Sequence, residues 1–194
     1  MKSKVGSLPN LKSLAAFLHP RFQGRVAIIG IGNRFWGDDG AGPELITSLK
    51  EKWETQELEP NSSPQRLFVD AGECPEDWFI RILDLKPEVI IVVDAIDIQA
   101  EPGSFAVLEA ETLPESFCFS THRMPLRSLL NLWEKNGSET LVLAMQPESL
   151  GFGRGLSPRV GKTIDHLVGL LAPPHTVRSS FPNPAPPPLR HGES

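Results

Sequence analysis

The run Gly30-Ile31-Gly32-Asn33-Arg34-Phe35-Trp36-Gly37-Asp38-Asp39-Gly40 constrains this chain more than any other stretch. It follows the apolar residues Val26-Ala27-Ile28-Ile29 and leads into an amphipathic segment from Pro43. A buried strand, a glycine-rich turn and a helix start together place the turn at the carboxyl edge of an open α/β sheet, where ligands bind. Turns of this kind commonly cradle phosphate on backbone N–H groups. Two adjacent carboxylates repel phosphate and attract a cation instead.

The rest of the chain alternates in the same way. Strands are expected at Arg25 to Ile31, Arg66 to Asp70, Val89 to Val93, Ser104 to Leu108 and Glu139 to Ala144. Helices are expected at Pro43 to Trp53, Pro75 to Leu85, Met124 to Lys135 and Pro158 to Leu171, with Ser120 or Thr121 available to cap the third. Val89 to Val93 is an unbroken Val/Ile run, as in a central strand covered on both faces. Pro102-Gly103 turns the chain into a short strand on an edge. The order βαβαββαβα predicts an α/β three-layer sandwich, a mostly parallel twisted five-stranded sheet with helices on both faces.

Residues 1–24 read as an N-terminal extension carrying one short helix, with Leu11, Leu14, Ala15 and Leu18 on one face and Asn10 as its N-cap. Residues 25–171 form the single domain. Residues 172–194 contain seven prolines and little that could pack, so a disordered tail is expected. Both ends are expected to be dispensable, unless Leu11, Leu14 and Leu18 cover an apolar face.

Bulk properties exclude several roles. A net charge of −5 argues against a nucleic-acid surface, which shows clustered Lys and Arg. No apolar run approaches the roughly 20 residues that span a bilayer, and Leu14 to Leu18 is too short for a signal sequence. Cys74 and Cys118 lie far apart without a C-x-x-C partner, which points to a reducing cytoplasm and no zinc or disulfide framework.

Asp38 and Asp39 are both placed to satisfy helix N-terminal amides. That role accounts for one of them and not for two adjacent acids in a turn already shaped by Gly37, Gly40 and Gly42. Asp94 closes the central Val/Ile run and points to the same crevice. His122, in the polar stretch Ser120 to Pro125, follows a strand and precedes a helix in the same layer. Asp70, in Asp70-Ala71-Gly72, reads as loop-structuring, with Gly72 supplying a left-handed turn. Asp97 reads as a turn former. His19, His166, His175 and His191 fall in terminal segments or on the last helix. Two carboxylates about 4 Å apart repel by about 4 kcal/mol at an effective dielectric near 20, roughly 3 pKa units. Such a cluster takes up a proton or a metal, and two carboxylates with one imidazole leave coordination positions open.

Four stretches in order resemble the hydrogenase maturation endopeptidases, with the formate hydrogenlyase type as the nearest group. They are G-I-G-N-x4-D-D-G-A-G-P from Gly30, V-D-A-x-D from Val93, T-H-x-M-P from Thr121 and Q-P-E-S-L-G-F from Gln146. The resemblance covers about Val26 to Leu171. It implies a cytoplasmic peptidase that removes a short C-terminal extension from the nickel-loaded precursor of the large subunit of [NiFe] hydrogenase. The family's nickel-recognising positions fall on Asp39, Asp94 and His122, so these are the expected catalytic and metal-contacting residues. Nickel would be met through the substrate, with no organic cofactor, and the protein would act as a monomer without nucleic acid or membrane. Two other readings compete: a nickel-binding maturation chaperone without cleavage, and a metal-dependent phosphohydrolase holding phosphate on Arg34 and Arg123. A dinucleotide site is disfavoured, because Phe35 stands where G-x-G-x-x-G needs its third glycine.

Overall fold

The apolar run of the central strand lies where its two-sided hydrophobicity requires. In the computed structural model, which describes residues 10–54, 66–113 and 124–171, β3 (Val89–Ala95) pairs in parallel with β1 (Val26–Ile31) on one side and with β5 (Glu139–Met145) on the other. β2 (Arg66–Gly72) adds to β1 in parallel, and β4 (Phe105–Leu108) adds to β5 antiparallel. The spatial order is β2-β1-β3-β5-β4, with β4 on an edge as its turn chemistry implies.

Side chains alternate across the sheet and feed two cores. Ile28, Ile91, Val93 and Leu143 pack with α1 (Leu11–Leu18), α2 (Ala41–Glu54) and α5 (Pro158–Leu171) on one face. Ile29, Ile90, Val92 and Val142 pack with α3 (Phe79–Asp84) and α4 (Leu126–Lys135) on the other. Trp133 of α4 is fully buried and stacks on Phe79 of α3, with ring centroids 6.1 Å apart. These are the three layers expected, with the helices divided between the faces.

Element ends differ from the sequence reading in ways that matter locally. Gly37–Gly40 forms a turn of 3-10 helix, and α2 begins at Ala41, two residues before Pro43. Pro75–Trp78 is also 3-10, and only Phe79–Asp84 is α-helical. α4 starts at Leu126 behind an extended Pro125, which supplies no side-chain cap. Ser120 and Thr121, and the tail from residue 172, lie outside the described residues.

The N-terminal helix is part of the core. Asn10 accepts the Ser13 N–H at 2.9 Å and starts α1. Leu14 and Leu18 are buried in the cluster that also holds Leu45, Ile164 and Leu167. Arg66, at the head of β2, closes the connection behind α1. Its guanidinium donates to the carbonyls of Gly24 (2.9 Å) and Phe22 and stacks on the Phe22 ring, 4.7 Å from its centroid. Burial lowers the Arg66 pKa to about 10.

No helix among the described residues is long and apolar enough to cross a membrane.

Candidate functional site

The chain leaves β1 toward one face of the sheet, through α2. It leaves β3 toward the other, by way of β4 and α4. Neighbouring parallel strands whose connections diverge leave a crevice at their carboxyl ends. Asp39, in the turn after β1, and Asp94, near the end of β3, both lie at this crevice.

Close backbone approach brings them together. A Cβ on Gly42 would lie 2.4 Å from the Ile31 carbonyl oxygen and 2.6 Å from that of Val93. Glycine therefore lets the start of α2 sit directly on the ends of β1 and β3. At Gly32, φ is +127° and a Cβ would fall 1.8 Å from the Asp39 carbonyl oxygen, so the turn folds back on itself. The Asn33 N–H then donates to Oδ2 of Asp39 at 2.7 Å and fixes that carboxylate at the mouth of the crevice.

Asp94 is completely buried, and neither carboxylate oxygen has a hydrogen-bond partner. Burial holds its carboxyl well above the usual carboxylate range, and the Asp39 charge pushes it the same way. The Ala95 backbone N–H opposes the shift in part, without reaching hydrogen-bond geometry. Ionising such a group is costly unless a proton or a cation meets it. By strand alternation Asp94 shares the face of Ile90 and Val92, the face on which α4 packs.

His122 lies outside the described residues. Among the described residues, no three His, Cys, Asp or Glu side chains gather as a metal-ligating group. What the structure brings together is the pair Asp39 and Asp94.

Asp38 has the other role available to an acid here. It is fully buried and accepts three backbone N–H groups: Glu148 (2.7 Å) and Ser149 (3.0 Å) on Oδ2, and Ser157 (2.6 Å) on Oδ1. It does not cap its own helix. It fastens the turn after β1 to the segment between β5 and α5. Gln146 makes a matching clamp. Its Oε1 accepts the N–H groups of Ile98 (2.8 Å) and Ala100 (3.3 Å), fixing the chain that continues from Asp94. The motif Gln146 to Phe152 is evident in the sequence, but its role as partner of Asp38 required the fold.

Asp70 and Asp97 are structural, as read from sequence. Asp70 accepts the Gly72 N–H at 3.2 Å, and Gly72 has a φ of +54°. Asp97 accepts the Gln99 N–H at 3.0 Å. Arg34 donates to Glu44 (2.5 Å), Thr47 (2.7 Å) and Asp70 (3.1 Å), so its cation is already matched by two carboxylates. That removes it as a phosphate holder and weakens the phosphohydrolase reading. Arg123 lies outside the described residues. His19 and His166 are exposed, away from the crevice, and His175 and His191 are not among the described residues.

Residues 43–173 match the family described as HycI, hydrogenase maturation protease. The hydrogenase 3 maturation protease of Escherichia coli K12 is 30% identical over 129 residues, spanning 64% of this chain and 74% of that protein. The crystal structure of the [NiFe] hydrogenase maturation protease HycI from Thermococcus kodakarensis KOD1 is similar with a TM-score of 0.67. It is 31% identical and covers 80% of this chain and 96% of that one. The solution structure of the endopeptidase HycI from Escherichia coli gives a TM-score of 0.61 at 26% identity, over 75% of this chain and 87% of that one. The chain belongs to the hydrogenase maturation protease family and is a peptidase.

Proposed function

We propose that the protein removes the C-terminal extension from the nickel-loaded precursor of a [NiFe] hydrogenase large subunit, in the cytoplasm and as a monomer. The observation that carries this reading is Asp94, a buried carboxylate with both oxygens unpartnered, facing the charge of Asp39 at the carboxyl edge of the sheet. Such a pair lacks a cation. A metal carried by the substrate supplies it, so binding at the crevice becomes favourable only for a precursor that already holds its nickel.

In this reading Asp39, Asp94 and His122 contact the substrate's metal. His122 stands four residues before Leu126 in the sequence, and α4 packs on the sheet face that Asp94 shares. Helices that return to a parallel sheet begin at its carboxyl edge, which is the edge of the crevice. Two roles suit the bound metal. It certifies that the precursor is loaded, or it also polarises the scissile carbonyl or activates water. In either case Asn33 holds Asp39, and the burial of Asp94 excludes solvent from one side of the pair.

The test is incubation of the protein with nickel-loaded and nickel-free precursor, followed by mass analysis of the large subunit. Loss of a C-terminal peptide from the loaded form alone is expected. Cutting of the nickel-free form would remove the metal-reading role of the trio. Nickel binding without cutting of either form would favour a maturation chaperone.

A further inference from the structure

Four of the six large apolar side chains exposed among the described residues lie on two adjoining loops: Phe35, Trp36, Leu150 and Phe152. Phe35 and Phe152 are each 69% exposed. Trp36 meets Phe152 edge-on, with ring centroids 5.2 Å apart. Exposed aromatic residues clustered in this way mark an interaction surface.

The display is built and held. The Gly153 N–H donates to the Phe35 carbonyl at 2.8 Å, and the Gly37 N–H to that of Arg154 at 3.1 Å. Trp36 and Arg154 form an isolated parallel bridge. Beneath them the buried carboxylate of Asp38 holds the amides of Glu148, Ser149 and Ser157. These bonds stabilise the two loops, yet they leave the aromatic rings in water, where the rings themselves bury little apolar surface.

We infer that Phe35, Trp36, Leu150 and Phe152 dock the folded body of the hydrogenase large-subunit precursor through an apolar patch beside the chain to be cut. This deepens the proposed function and rests on it. The platform is continuous with the crevice: Trp36 immediately precedes the 3-10 turn that carries Asp39. Its charge also selects the occupant. The protein carries a net charge of −5, yet between Asn33 and Gly37 the sole charged side chain is Arg34, which is neutralised by Glu44 and Asp70. The second loop carries one acid and one base between Pro147 and Gly155, Glu148 and Arg154, so its formal charge is zero. A neutral aromatic surface fits an apolar protein face, while the metal supplies the cation that Asp39 and Asp94 lack. A second copy docked here symmetrically would cover both crevices.

The experiment compares the full-length protein with Phe35→Ser/Phe152→Ser, using purified nickel-loaded precursor. Because both rings are mostly exposed, melting temperature should stay within about 3 °C. KM for cleavage should rise about tenfold or more with kcat within about twofold, as for truncation of aromatic interface anchors. Binding is measured separately with the crevice residues intact, at low temperature and within a time short against turnover, and the same two changes should weaken affinity about tenfold. Unchanged KM and affinity would overturn the docking surface while leaving the proposed function intact. Failure of the wild-type protein to cut loaded precursor would overturn the function, and the binding comparison would still decide the surface. A wild-type dimer dispersed by the two substitutions would assign the patch to a second copy and overturn the inference.

Discussion

Oδ1 of Asp38 accepts the N–H of Ser157 at 2.6 Å, tying the turn after β1 to the residue that precedes α5. The neighbouring Asp39 receives the Asn33 N–H and faces Asp94. Two adjacent acids thus divide the work: one assembles the loops around the crevice, and the other supplies its charge.

Asp38→Ala should therefore be a stability mutation first. It strands three partly buried backbone donors that now meet a buried carboxylate, and hydrogen bonds to charged groups are worth about 1.5–3 kcal/mol each. A loss of roughly 3–5 kcal/mol is expected, with some relief from water entry. Asp38→Asn should lose less, since one oxygen remains to accept. Denaturant unfolding measures both. A variant as stable as the wild type would show that the loops are held without Asp38.

Asp94→Asn should abolish cleavage and raise stability at neutral pH. In the unfolded chain this carboxyl titrates near about 3.9, and in the folded protein well above that. Between the two values the folded state keeps a proton that the unfolded state has lost, so stability falls as pH rises through the window. The asparagine variant lacks this penalty. Melting temperatures of the two proteins should coincide below about pH 4 and separate as pH increases. A constant difference across pH would mean that Asp94 is ionised and satisfied in the fold.

Cleavage should respond to pH in the opposite sense. Protons compete with the substrate's metal for Asp94, so turnover of loaded precursor should fall as pH drops through the raised pKa. His122→Ala should lose cleavage with little change in melting temperature. Rates measured across pH on the wild type, beside unfolding of the histidine variant, check both expectations.

The N-terminal helix should prove necessary for the fold. Leu14 is completely buried, and replacing such a leucine by alanine costs about 2–5 kcal/mol. At about 2–4 °C per kcal/mol for a protein of this size, Leu14→Ala should melt roughly 5–15 °C lower. Removal of residues 1–24 also strips the Gly24 and Phe22 carbonyls from Arg66, so the shortened protein should aggregate or fold poorly. The proline-rich tail from residue 172 should be removable without loss of cleavage. A shortened chain 25–171 that melts like the full protein would show that α1 is a passive cover.

Much of this was written locally in the chain. The Val/Ile run of β3 is apolar at both parities, and only a central strand buries both faces. Glycines at 37, 40 and 42 marked a turn after the first strand, and the alternation of elements then pointed to a mostly parallel sheet. The position of Asp39 after one strand and Asp94 at the end of another was legible because strand ends in such sheets share an edge. Position alone left open which acid of Asp38-Asp39 faces the crevice, a choice that the family resemblance put on Asp39. That depends on amides from residues 148, 149 and 157, brought near only by the pairing of β3 with β5 and the return of α5. The fate of Leu14 and Leu18 was undecided for the same reason. An amphipathic helix announces that it has an apolar face, whereas only the packing of α2 and α5 determines whether that face closes the core. The aromatic platform belongs to the same class: Phe35 and Trp36 are separated from Leu150 and Phe152 by more than a hundred residues, and only long-range contacts, the Asp38 carboxylate among them, make them one surface.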